Sequence, residues 1–292
     1  MASEHSQDTA SAPDIEPNED TGSNEDTAPS ESSSPARKPV LTILHQAQST
    51  PGRVGQALVA RGYTLDIRRP ALGDTLPETT VGHDGVVIFG GPMSANDTDA
   101  FIKKEIDFIN VPLREGTPFL GICLGGQMLA KTIGGSVAPH PEGQVEIGYY
   151  DIAPTASGEA LMEWPRKVYQ WHREGFRTPA GTDLLASGDH YEEQAFRVGT
   201  TAYGIQFHPE LTLAMMHRWT TRAHERMKLP GARQRRDHFA GRAVYDGPVR
   251  AWLQNFLDLW LACGRPSTRH LDETKTPSDA VPGLDTRPRA VA

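Results

Sequence analysis

The chain has 292 residues, a formal net charge of −8 and only two cysteines, Cys123 and Cys263. That length accommodates one or two domains, and the cysteine count excludes a disulfide framework or a cysteine-built zinc site. No run of about 18 apolar residues suggests a membrane span and the N-terminus has no apolar stretch of the secretory type, so a cytoplasmic location is expected, where a free thiol stays reduced.

Residues 1–38 hold nine acidic side chains against Arg37 and Lys38 and almost no large apolar ones. Such a segment buries too little surface to offset its ordering entropy, and disorder is expected. Seven of the eight net negative charges fall there, so the remainder is nearly neutral and lacks the basic face that nucleic acid requires. Residues 265–292, with four prolines and no apolar periodicity, are expected to form a second disordered tail. One domain over 39–264 lies between them.

Within that domain Val40–Leu44 reads as a buried strand, and Pro51 opens a helix to about Arg61, since proline suits a first helical turn. Thr64–Ile67 and Gly85–Phe89 are further strands, the latter ending in Gly90-Gly91-Pro92. Ala100–Leu113 has helical apolar spacing through Phe101, Ile102, Ile106, Phe108 and Ile109. Pro118-Phe119-Leu120 reads as a strand that turns at Gly121–Gln127 into a helix. Short strand-like pieces from Gln144 to Phe196, among them Val168–His172 and one opening at Gln194, predict an antiparallel addition whose loops roof the site. Leu211–Met227 reads as a helix, Arg233–Arg236 as a solvated loop, and Val249–Leu261 as an amphipathic helix docked on the sheet. Strands alternating with helices imply an α/β fold, a three-layer, mostly parallel, doubly wound sheet. Ligands of such sheets bind beyond the carboxyl ends of the strands, where both Gly90-Gly91 and Cys123 fall.

The segment Gly121-Ile122-Cys123-Leu124-Gly125-Gly126-Gln127 carries the most chemistry. A strand that turns sharply into a helix with a nucleophile at the corner is a nucleophile elbow. Glycines at 121 and 125 suit so tight a turn, where a side chain would clash. Cys123 would sit at a helix N-terminus, whose unpaired N–H groups and dipole favour the thiolate. Taken alone, a buried cysteine reads equally well as a small hydrophobe. A reactive cysteine needs a base and the base an orienting group. His208 and Glu210, two apart in an extended stretch, point to the same side, so the carboxylate can fix the imidazole tautomer. Backbone N–H groups freed at Gly90-Gly91-Pro92, together with that of Leu124, are candidates for an oxyanion hole.

These segments, in this order, resemble the class I glutamine amidotransferases over about residues 40–215. The resemblance places Cys123, His208 and Glu210, with His208 85 positions after Cys123, on the catalytic triad. It places Gly90-Gly91-Pro92 on the oxyanion strand, with Gly91 and Leu124 as donors. Gln127 falls on a glutamine that lines the substrate pocket beside Gly90. The fold it implies is flavodoxin-like. Gly90–Asp97, Glu146-Ile147-Gly148-Tyr149 and Gln170-Trp171-His172 are similar to the stand-alone, GMP synthase-like group. Trp171 and His172 are placed to line the pocket, the alternative being a core tryptophan beside a surface histidine. Two departures stand out. Many members have Gly-Asp where this chain has Arg173-Glu174-Gly175-Phe176, which bears on the substrate-entry loop. Many also carry a larger residue at the position of Gly126, which is expected to widen the space beside the elbow.

The resemblance implies hydrolysis of the glutamine side-chain amide through a γ-glutamyl thioester, with no cofactor and no metal. Family members usually deliver the ammonia to a synthase. This sequence has neither the Ser-Gly-Gly-x-Asp-Ser nucleotide motif nor a P-loop. Either a separate synthase subunit accepts the ammonia, or the enzyme is a γ-glutamyl peptidase or conjugate hydrolase acting on a γ-glutamyl small molecule. A redox or binding module using Cys123 is the non-enzymatic alternative, but it has no use for a His-x-Glu relay.

Overall fold

Short aliphatic runs alternate with amphipathic helices along the chain. In order they are β1 (Val40–Ile43), α1 (Gly52–Ala60), β2 (Leu65–Arg68), β3 (Gly85–Ile88), α2 (Ala100–Glu115), β4 (Phe119–Ile122) and α3 (Leu124–Thr132). There follow β5 (Ser136–Pro139), β6 (Glu146–Asp151), β7 (Ala153–Pro154), α4 (Ala156–Leu161), β8 (Lys167–His172), β9 (Glu174–Arg177), β10 (Asp183–Ser187), β11 (Glu193–Val198) and β12 (Ala202–Ile205). The helices α5 (Leu213–Arg222) and α6 (Arg235–Ala262) close the domain. The computed structural model describes residues 37–264, all within one unit. The two expected tails lie outside these residues, apart from Arg37 and Lys38. Arg37 stacks on Tyr63, and the Lys38 backbone N–H donates to Asp84.

An eight-stranded sheet runs in the order β2-β1-β3-β4-β12-β11-β10-β7. The first five strands are mutually parallel and the last three antiparallel additions. In β1, β3 and β4 every residue is buried, as expected of parallel strands covered on both faces. Alternate residues serve opposite layers. Leu41, Ile43, Val86 and Ile88 pack with α2 and α3, whereas Val40, Val87, Leu120 and Ile205 pack with α1 and the C-terminal half of α6. The fold is the expected three-layer, flavodoxin-like arrangement, and the carboxyl ends of β1, β3, β4 and β12 converge on one edge.

Four element expectations are corrected. The antiparallel region is not one addition. β7, β10 and β11 extend the main sheet, while β5 with β9 and β6 with β8 form separate ribbons. The helix expected over Leu211–Met227 ends at Arg222, because Ala223 leaves helical backbone (φ −116°, ψ 35°), and a 3-10 turn, His224–Lys228, follows. Arg235 and Arg236 are not loop but the first turn of α6, begun by a capping box between Gln234 and Asp237. That helix then runs unbroken for 28 residues through Pro248. Its first half packs on the β6–β8 ribbon, where a Cβ on Gly241 would come within 2.5 Å of Tyr149. Its second half buries Val249, Trp252, Phe256 and Trp260 on the sheet. Two different partners support the two halves, which outweighs the hydrogen bond that Pro248 removes.

Candidate active site

Cys123 stands between β4 and α3 with φ 51° and ψ −105°. It is the only non-glycine residue of positive φ among the described residues. The strain therefore sits on the cysteine itself, a conformation that costs on the order of 1–3 kcal/mol. Its glycine neighbours serve close approach instead. A Cβ on Gly121 would lie 2.4 Å from the Gly125 carbonyl oxygen, and one on Gly125 would lie 2.1 Å from that of Ile88. Gly126 does the same against β12, where a Cβ would meet the Ile205 carbonyl oxygen at 2.9 Å. The expectation that Gly126 widens the space beside the elbow is thus corrected: it lets the helix close on the sheet.

His208 follows β12, its backbone N–H donating to the Tyr169 carbonyl at 2.9 Å. Its Nδ1 is 2.7 Å from Glu210 Oε1, and both residues are buried. A Cβ on Gly90 would lie 2.9 Å from His208 Cε1 and 3.4 Å from Cys123 Cβ, which measures how closely the imidazole, the thiol side chain and the Gly90 backbone are gathered. Nε2 is buried with no hydrogen-bond partner. Burial alone pushes the His208 pKa down, but the Glu210 carboxylate and then Cys123 outweigh it and raise the value to about 10.

Behind Gly90 lies a pair that the sequence did not announce. His45, two residues beyond β1, donates from Nδ1 to the Gly90 carbonyl oxygen at 3.2 Å, while its Nε2 lies 2.9 Å from Glu105 Oε2 of α2. Both residues are buried. A trans peptide points its C=O and N–H in opposite directions. Holding the Gly90 carbonyl towards His45 therefore turns the Gly91 N–H the other way. Among the described residues neither the Gly91 nor the Leu124 N–H has a hydrogen-bond acceptor.

Two adjoining cavities share Cys123, Gly91, Pro92, Trp171 and Arg226. One has Gln127, His172, Arg173 and Glu174 in its wall; the other has His208, Glu210, Met215, Arg218 and Trp219. Gln127 donates from Nε2 to the Glu174 carbonyl at 2.8 Å, so its amide carbonyl is the group left for a ligand. Trp171 is half-buried and borders both cavities, whereas His172 is buried. The alternative of a core tryptophan beside a surface histidine is the reverse of what is found. Both His172 nitrogens are engaged, Nδ1 donating to the Glu174 carbonyl at 3.0 Å and Nε2 lying 2.9 Å from Glu146, so His172 braces the wall. Arg226 was not foreseen. Burial, then the nearby Arg173 guanidinium, pull its pKa down, and Cys123 opposes them. Among the described residues no cluster of three or more His, Cys, Asp or Glu side chains is arranged to hold a metal, and no helix is long and apolar enough to cross a membrane.

Residues 48–222, more than half of the chain, match the family model "Glutamine amidotransferase class-I". The chain belongs to the class I glutamine amidotransferases. It is 30% identical over 184 residues to the glutamine amidotransferase-like protein YfeJ of Salmonella typhimurium, covering 59% of this chain and 75% of that protein. It is 31% identical over 134 residues to a subunit of the glutamine-hydrolyzing GMP synthase of Methanocaldococcus jannaschii, covering 44% of this chain and 64% of the relative. Of the full-length GMP synthases it also matches, the chain spans between 25% and 33%. The solved glutamine amido transferase of Methylobacillus flagellatus superposes with a TM-score of 0.73 at 26% identity, covering 80% of this chain and 98% of that one. Arg226 lies beyond the stretch matched by the family model.

Proposed function

We propose that this protein hydrolyses the side-chain amide of glutamine, or of a γ-glutamyl compound built like it, through a covalent thioester on Cys123. The observation that carries the reading is the relay: a buried His208 held by Glu210 at 2.7 Å, gathered against a cysteine at the head of a helix. The Cys123 thiolate attacks the amide carbon, the thiolate and not the thiol being the nucleophile. The N–H groups of Gly91 and Leu124 stabilise the tetrahedral oxyanion, each such donor being worth about 3 kcal/mol in comparable sites. His208 gives its proton to the departing nitrogen, the C–N bond breaks, and the acyl group remains on sulfur. Water, deprotonated by His208, then cleaves the thioester to a free carboxylate and returns the thiol. Glu210 holds the imidazole in the required tautomer throughout.

None of these steps calls on a cofactor. One relative is named as a single subunit of a GMP synthase, which supports a separate synthase-type subunit as acceptor of the ammonia. A cytoplasmic setting suits a free catalytic thiol. Ammonia release from glutamine, compared between the wild-type chain and Cys123→Ala and with iodoacetamide present, tests the reading. Turnover that survives both treatments would refute it. A second reading, hydrolysis of a γ-glutamyl amide with a larger amine, is favoured by the room and charge on the His208 side of Cys123.

A further inference from the structure

The two cavities beside Cys123 are chemically unlike, and the reaction decides which end of a substrate each takes. His208 delivers the proton to the departing nitrogen, so the leaving amine extends into the cavity that His208 lines. The γ-glutamyl part then occupies the side where Gln127 stands. The leaving-amine cavity continues past Gln46, Pro92 and Trp219 into a third hollow lined by Arg218, Arg222 and Arg226. Ammonia needs none of this space.

Among the described residues these three guanidiniums have no carboxylate partner. Some other arginines are paired, as Arg53 is with Asp246 and Arg61 with Asp258; what sets these three apart is that they line one hollow together. Among the same residues, the only hydrogen bond that Arg218 donates is to the Gln48 carbonyl, at 2.9 Å. Arg226 is drawn partly under the surface beside Trp219, with a second cation, Arg173, acting on it. Like charges gathered at the mouth of a cavity repel one another, and an anion placed among them relieves the repulsion. A guanidinium presents a planar fork that matches a carboxylate. Trp219 supplies an apolar wall for whatever links the carboxylate to the reacting nitrogen.

We propose that Arg218, Arg222 and Arg226 form a subsite for an anionic leaving group, so that the preferred substrates are γ-glutamyl amides of amino acids, whose α-carboxylate they grip. This inference rests on the γ-glutamyl hydrolysis proposed above. The bond broken is the isopeptide C–N bond. Water supplies hydroxyl to the acyl carbon and hydrogen to the nitrogen, giving glutamate and a free amino acid.

The test compares γ-glutamylglycine with γ-glutamyl ethylamide, which has a leaving amine of similar length and no charge. With the full 292-residue chain, kcat/KM should be about tenfold or more higher for γ-glutamylglycine, the scale of one charge-assisted hydrogen bond. Arg222→Gln alters an exposed side chain and is compatible with folding; it should narrow that ratio several-fold, as should added salt. Equal rates for the two amides, or a ratio untouched by Arg222→Gln and Arg218→Gln, would overturn the subsite. Turnover of glutamine with none of γ-glutamylglycine would also overturn it, while leaving glutamine hydrolysis standing. Calorimetric binding to Cys123→Ala separates the two ideas if no compound is turned over. Tighter binding of γ-glutamylglycine than of the ethylamide, weakened by Arg222→Gln, would keep the subsite and discard the reaction. Absence of that difference would discard both.

Discussion

His45 joins the Gly90 carbonyl to Glu105 of α2, with Nε2 2.9 Å from the carboxylate and both side chains out of contact with water. This bond connects a helix on one face of the sheet to the peptide whose N–H is a candidate oxyanion donor. An oxyanion donor acts in the transition state, so loosening its peptide should lower kcat more than it raises KM. Glu105→Gln keeps the shape but weakens the bond to His45. We expect kcat to fall about tenfold, well short of the 10²–10³ lost when a donor is removed outright. Steady-state kinetics beside a thermal melt will decide; a lower Tm with unchanged kcat would reduce the pair to core packing.

Cys123→Ala and Cys123→Gly should both abolish turnover, yet differ in stability. Alanine keeps the strain of a side chain at φ 51°. Glycine removes a strain of about 1–3 kcal/mol and gives back about 0.4–1 kcal/mol through the freer unfolded chain. The glycine variant should melt above the alanine variant. The reverse order in calorimetry would show that Cys123 is not strained.

The His208 pKa, raised from 6.5 to about 10, makes stability depend on pH. A group whose folded pKa is raised contributes stability that is fully present below its unfolded value and is lost as pH climbs through the folded value. Wild type should therefore lose its advantage over Glu210→Gln as pH rises from below 6.5 to above 10. Melts of both proteins across that window measure it, and a constant difference would contradict the coupling of His208 to Glu210.

Gly126→Ala should destabilise the domain by about 1–3 kcal/mol, the usual cost of overpacking. The added methyl meets backbone of β12, which cannot swing aside as a side chain would. Because the same helix carries Cys123 at its head, turnover should fall as well. Denaturant unfolding that matches wild type would mean that the helix shifts freely on the sheet.

The elbow was legible because its parts are contiguous. Strand, glycine, cysteine, glycine and helix each obey a local steric rule, so Gly121–Gln127 announces its own conformation. His208 and Glu210 are two residues apart, and extended backbone alone brings them to one side. The parallel strands were legible for a similar reason, since burial on both faces leaves unbroken aliphatic runs. The course of α6 was not. Gly247-Pro248 is a strong local stop signal, and only the ribbon beneath the first half of the helix and the sheet beneath the second override it.

A sign of the His45–Glu105 pair was present: Glu105 shares the helical face of Ile102, Phe108 and Ile109, where a carboxylate demands a partner. Its partner lies 60 residues away, and no spacing rule connects them. Arg218, Arg222 and Arg226 all fall within the helix that the sequence predicts over Leu211–Met227, where nothing sets them apart from ordinary solvated cations. Sequence by itself determined the chemistry available at each strand end, because backbone sterics and residue type are local properties. Tertiary structure alone decided which strand ends meet, which carbonyl His45 holds, and that three arginines face a cavity continuous with Cys123, because burial and the approach of charges depend on elements packed from distant parts of the chain.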